Sequence, residues 1–200
     1  MAMSVLGNSL SEARHFEDAL SVQQADLSMM RRIGAPVQHA LTVQGNIVNS
    51  YDRLGRLEEA LSMRRNVYSE VLKLLGEEHR DSLREANNLA SLLKRLKHFG
   101  EAKSLLRKNM PVARRVLGDT DTLTLMMKKM YAEALCSDDD GATLDDVREA
   151  VATLEDIDRT ARRVLGGAHP LTTDIERVRH NARALLHFSE KIREKMSGTA

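Results

Sequence analysis

A two-residue marker recurs along this chain at a nearly fixed interval, and that recurrence constrains the fold more than any other feature. Leu-Gly occurs at Leu75-Gly76, Leu117-Gly118 and Leu165-Gly166, with Ile33-Gly34 as a weaker relative. The glycines stand 42, 42 and 48 residues apart. A second marker, an acidic residue followed by alanine, occurs at Asp18-Ala19, Glu59-Ala60, Glu101-Ala102 and Glu149-Ala150, at intervals of 41, 42 and 48. Both series share the enlarged last step, and the segment Ala113 to Gly118 recurs unchanged from Ala161 to Gly166. A period of this size means stacked supersecondary units, none of which buries its apolar face alone.

Each unit reads as two amphipathic helices. In the second, Ala40, Leu41, Ile47, Val48, Tyr51 and Leu54 fall at steps of three and four, one face of a helix starting near Pro36. Gly55-Arg56 breaks the chain, with Gly55 suited to a left-handed backbone. A second helix runs from Leu57 to Leu75 and ends at Gly76. Ala19, Ala60, Ala102 and Ala150 are expected where the helices of a hairpin cross closely, with Phe16, Leu57, Phe99 and Val147 plugging the junction three residues earlier.

The extra length of the last step falls at Ser137–Thr143, a polar linker within the fourth hairpin. Thr143 followed by Asp146 reads as an N-cap with an acidic first turn. Beyond Gly166, Pro170 opens one more helix, expected to cap the array with a charged outer face. The division is four hairpins, about 1–34, 35–76, 77–118 and 119–166, a capping helix at 170–196 and a frayed tail at 197–200, in one domain over 1–196. The N-terminus lacks a cap, which fits a fragment of a longer protein. Pro111 inside a second helix predicts a bend and not a break, because apolar periodicity continues through Val112, Val116 and Leu117.

Composition agrees. Aromatic residues are 3% with no Trp, and the apolar set of Leu, Ala, Val and Met favours helix. Thirty basic against 29 acidic residues give a net charge of +1, which disfavours a nucleic-acid partner. The lone Cys136 excludes an internal disulfide and reads as a free structural thiol. No secretory signal and no apolar run long enough to span a membrane occurs, so the expected setting is cytoplasmic.

Catalytic and metal motifs are missing. Asp138-Asp139-Asp140-Gly141 fails the calcium-loop pattern, because Gly141 as sixth residue puts Cys136 first and Val147 twelfth. No HExxH, CxxC pair, phosphate loop or nucleophile elbow appears, so neither enzyme activity nor a cofactor is expected. His79 and His169 occupy matching links and are expected to cap or pack. Arginine pairs at Arg31-Arg32, Arg64-Arg65, Arg114-Arg115 and Arg162-Arg163 suggest either a basic stripe on the second helices or a solvated face paired with acids such as Glu70 or Asp158. Met126, Met127 and Met130 read as core filling or as an adaptable surface.

The repeat resembles the tetratricopeptide unit, with Gly7, Gly55, Ala60 and Ala102 at its small-residue places. The period of 42, the Asn88-Leu89-Ala90 run and the link Leu165-Gly166 to Ala168-His169-Pro170-Leu171-Thr172 resemble the kinesin light chain type in particular. Leu75-Gly76-Glu77-Glu78-His79 is a partial copy with Arg80 in place of proline, and the Leu117 link lacks both His and Pro. The resemblance implies an all-α fold, a right-handed α-solenoid of antiparallel helical hairpins. It implies a non-catalytic scaffold that binds peptide motifs of other proteins in a concave groove lined by the first helices. Carried onto this chain, the groove holds Asn46, Asn49, Arg53, Arg84, Asn87, Asn88, Ser91, Lys94, Arg95 and Lys129, with Asn8, Thr42 and Glu133 beside them. Asparagine suits a peptide backbone because its amide both donates and accepts. The cations suit an extended acidic ligand. The alternative is a regulatory repeat fragment of a larger enzyme- or motor-associated protein.

Overall fold

The computed structural model describes residues 2–137 and 142–197, and among them forms nine α-helices and no strand. They are α1 (Ala2–Glu12), α2 (Phe16–Arg32), α3 (Val37–Arg53), α4 (Leu57–Leu75), α5 (Arg80–Arg95), α6 (Phe99–Leu117), α7 (Thr122–Cys136), α8 (Leu144–Leu165) and α9 (Pro170–Ser197). The expected all-α hairpin architecture is the one found. The chain divides into two compact units, Met1–Leu92 and Leu93–Ala200. In the first, α1 packs on α2, α2 on α3 and α3 on α4. In the second, α6 packs on α7, α7 on α8, and α9 on both α8 and α7.

Two kinds of turn punctuate the chain, and each has its own backbone reason. Within the first three hairpins the turn is a left-handed helix stop. Gly55 has φ 75°, and the Arg56 N–H reaches back to the Tyr51 carbonyl at 2.9 Å. The same geometry recurs at Arg14 and Lys97, both at φ 64°, where a side chain occupies a conformation that favours glycine. Between hairpins, Gly76, Gly118 and Gly166 adopt φ of 81°, 90° and 85° with ψ of 171°, 162° and 159°. That region is open essentially to glycine alone. Ile33-Gly34 is not a fourth member of this set. Gly34 has φ 63°, and Ala35 N–H bonds the Met30 carbonyl at 3.0 Å, so this link uses the left-handed stop.

The starts of α5, α7 and α9 are capped in register. His79 Nδ1 accepts the Asp81 N–H at 3.1 Å, and His169 Nδ1 accepts the Leu171 N–H at 3.1 Å. The link without histidine uses Asp121, whose carboxylate accepts the Leu123 N–H at 2.8 Å. Thr143 and Asp146 form a reciprocal capping box at the start of α8. α6 runs unbroken through Pro111.

Ala19, Ala60, Ala102 and Ala150 are wholly buried. In the first unit they join Leu20, Val43, Ile47, Val48, Leu61 and Val67; in the second, Leu106, Leu125, Met127, Val147, Leu154 and Ile157. Met127 and Met130 fill core while Met126 is exposed. Each buried leucine or isoleucine contributes about 1.5–3 kcal/mol relative to exposure. The outer face of α9 is not wholly polar: Phe188 and Ile192 are exposed among its charges. Asp138–Gly141 and residues 198–200, with the calcium-loop test, most of the Ser137–Thr143 linker and the tail, lie outside the described residues.

Candidate interaction face

The expected groove residues fall on first helices, and each compact unit carries its own part. In the first unit, Asn46 of α3 donates to Asn8 of α1 at 2.9 Å, tying two first helices side chain to side chain. Asn49 accepts from Arg64 at 3.2 Å. Arg64 is buried and pairs with Glu85 of α5 at 3.0 Å. The Asn88 amide donates to the same Glu85 at 3.3 Å, and Arg84 pairs with Asp81 at 2.8 Å. Arg64, Asn88 and Arg84 thus gather around Glu85, which the sequence did not single out, and Asn49 joins them through Arg64. Asn87 is buried, and its carbonyl oxygen has no hydrogen-bond partner. Arg53 is exposed and Ser91 half-buried. The Thr42 hydroxyl bonds back to the Gln38 carbonyl at 3.0 Å.

In the second unit the face runs from the end of α5 across α7 to α9. Lys94 pairs with Glu133, and Glu133 also lies 3.7 Å from Lys129. Lys129 pairs in turn with Asp174 of α9, which receives Arg177 at 2.5 Å. Burial pushes the Asp174 carboxyl up, but hydrogen bonds from Lys129 and Arg177 outweigh it and hold the group below the ordinary aspartate value. The lysines are therefore internally paired, a point hidden from sequence because their partners lie 39 and 45 residues away.

A cleft of about 550 Å³ opens on this face. Lys94, Arg95, Lys97 and Arg177 line it against one carboxylate, Glu133. Phe99, Val178 and Leu185 give it an apolar wall, and Asn181 adds an amide. Cys136 also lines it, half-buried. Burial pushes the Cys136 thiol up to about 11, helped by the negative charges of Asp146 and Glu133.

At three of the recurring arginines of the second helices the structure favours paired or buried side chains over a basic stripe. Arg64 is buried, Arg114 pairs with Asp119 at 3.0 Å, and Arg162 pairs with Asp158 at 3.1 Å and Glu176 at 2.9 Å. Glu70 pairs with Lys73 at 2.8 Å. A second cleft, of about 950 Å³, lies among α6, α7 and α8. At its floor Tyr131 accepts from Arg107 at 2.8 Å and donates to Glu149 at 2.9 Å. Its cations face near-equal acidity, with Asp119 and Asp156 beside Lys128 at 2.9 and 3.8 Å. Among the described residues no group of three His, Cys, Asp or Glu side chains converges as a metal site, and no helix is long and apolar enough to cross a membrane.

Comparison with known proteins places these features. Residues 86–122 match the tetratricopeptide repeat family model. No curated protein matches the sequence. Among solved structures, a protein of Podosopora anserina with nearly identical TPR-like repeats of kinesin light chain type superposes with a TM-score of 0.76, at 18% identity, over 98% of this chain and 90% of that one. A variant of that protein gives a TM-score of 0.74 at 19% identity, over 98% and 95%. BtubC (BKLC) from P. vanneervenii gives 0.62 at 19% identity, over 98% and 80%. One segment, residues 86–122, thus matches a tetratricopeptide repeat, and the fold of the chain is shared with kinesin light chain-like repeats.

Proposed function

We propose that the protein is a non-catalytic interaction scaffold that binds extended, acidic peptide segments of other proteins along the outer faces of its first helices, in the cytoplasm. Tetratricopeptide-type repeats supply protein-binding surfaces, and the resemblance to kinesin light chains implies peptide motifs as ligands. The observation that supports the acidic preference is the clustering of Lys94, Arg95, Lys97 and Arg177 along one cleft on α5, α7 and α9, with Glu133 in its lining and Asp174 on Arg177, in a protein whose net charge is only +1. Amide side chains supply the complementary need. Asn46 and Asn88 hold repeat-equivalent positions 42 residues apart, and Asn181 lines the cleft. An amide donates and accepts, which suits the unpaired backbone of an extended peptide.

Calorimetric titration tests this reading. A peptide of about ten residues rich in Glu should bind, and weaken as salt rises because exposed charge pairs are screened. The same peptide with every Glu replaced by Gln should bind much more weakly. Equal affinity for both peptides, insensitive to salt, contradicts the acidic reading.

A further inference from the structure

We propose that the buried Arg64–Glu85 ion pair positions two amides of the peptide-binding face: it turns Asn49 on α3 to offer a donor, and Asn88 on α5 to offer an acceptor, to the main chain of a bound segment. This rests on the peptide-binding reading above and names the residues behind the face that set how the ligand's backbone is read.

Chemistry fixes the two amide orientations. Arg64 of α4 can only donate, so Asn49 turns its Oδ1 toward it and accepts at 3.2 Å. That leaves the NH2 group of Asn49, an exposed residue, to serve a ligand. Ionised Glu85 can only accept, so Asn88 turns its Nδ2 toward one carboxylate oxygen, at 3.3 Å, and keeps its own carbonyl as an acceptor. The other Glu85 oxygen accepts a second Arg64 N–H at 3.0 Å, so one ion pair holds both amides. A peptide group presents one N–H and one C=O, and a held acceptor with a held donor matches both.

Packing alone does not call for this pair. Its side chains are 10% and 12% exposed. The repeat-equivalent positions, 42 and then 48 residues on, hold Leu106 with Met127 and Leu154 with Ile175, all wholly buried. Apolar side chains thus fill the same core place in the second unit, and a buried ion pair is often no more stabilising than apolar residues of similar volume. The Arg64 Nε is also buried with no hydrogen-bond partner among the described residues, a further cost. What the ion pair adds is the orientation of Asn49 and Asn88.

Calorimetric titration with the Glu-rich peptide of about ten residues tests this. Replacing one partner alone would strand the other charge, so both are exchanged for their repeat equivalents in Arg64→Leu/Glu85→Met. This ion-pair variant should stay folded by circular dichroism, melt no lower than wild type and bind about tenfold more weakly. Asn49→Ala/Asn88→Ala should also weaken wild type by about tenfold, yet weaken the ion-pair variant by less than about threefold, because its amides are no longer held. Should the ion-pair variant not fold, Arg64→Lys carries the same test. Lysine keeps a charge beside Glu85 but lacks the fork that also reaches Asn49, so Asn49→Ala should lose most of its effect there. If the amide replacements weaken each background equally, or leave wild type unchanged, the inference is overturned while peptide binding stands. A folded ion-pair variant that binds as tightly as wild type overturns it too. If wild type does not bind the Glu-rich peptide, both readings fall together.

Discussion

His169 Nδ1 accepts the backbone N–H of Leu171 at 3.1 Å, closing the first turn of α9 with an imidazole. Asp121 holds the equivalent place before α7 and does the same work with a carboxylate at 2.8 Å. The cap, and not the histidine, is what the repeat keeps. His169→Ala should therefore cost about 1 kcal/mol of stability, as other N-cap removals do. His169→Asp should restore it, with a further gain from negative charge at a helix N-terminus. Thermal unfolding of the three proteins checks this; equal loss in both variants would show that the ring packs instead of capping.

Gly118 sits at φ 90°, ψ 162°, and a Cβ built there meets nothing within 4 Å. Any penalty for Gly118→Ala is thus backbone strain, on the order of 1–3 kcal/mol. Gly100 lies inside α6 and is equally unobstructed, so Gly100→Ala should stabilise by about 0.5–1 kcal/mol. Denaturant midpoints of the pair should move in opposite directions.

Most of the fold was legible in the sequence because its signals are local. Glycine at helix ends, alanine at crossings and Thr143 with Asp146 each act within a few residues, and the helix bounds followed. Arg14 and Lys97 were not legible as turn residues, because at φ 64° they occupy the place where Gly55 gives the usual signal. The polar site was only partly legible. Register placed Asn46, Asn88, Lys94 and Lys129 on first helices, but which carboxylates neutralise them depends on packing between distant segments. Glu85, Asp174 and Arg177 went unmarked for that reason. Arg64 misled for the same reason: an arginine in a repeated pair reads as solvated until Glu85 and Asn49 are found beside it.

Asp174 links pH to stability. Its folded-state carboxyl is held low by Lys129 and Arg177 against the opposing effect of burial. Such a group contributes stability above its ordinary value, and that contribution is lost as pH falls through the depressed folded value. Asp174→Asn should lower the melting temperature at pH 7 and leave a shallower acid decline than wild type below about pH 4. Parallel acid profiles would mean that the network does not hold in solution.

Cys136 gives a chemical reading of the cleft. With its thiol pushed up to about 11, little thiolate exists at pH 8. Alkylation by iodoacetamide should run on the order of tenfold slower than for an unhindered cysteine, since higher nucleophilicity offsets part of the lost thiolate. Glu133→Gln removes one of the negative charges that raise the thiol and should speed the reaction. A rate equal to that of free cysteine would contradict the burial of this side chain.

The central claim is that exposed cations on the first helices attract an acidic peptide, and the most direct measurement is the affinity of a Glu-rich peptide for Arg53→Glu/Arg95→Glu against wild type across a salt series. Both residues are exposed, so the helices should remain folded by circular dichroism. The account predicts affinity weaker by about tenfold or more, with a flatter salt dependence. Unchanged affinity and an unchanged salt slope in a folded variant would contradict it.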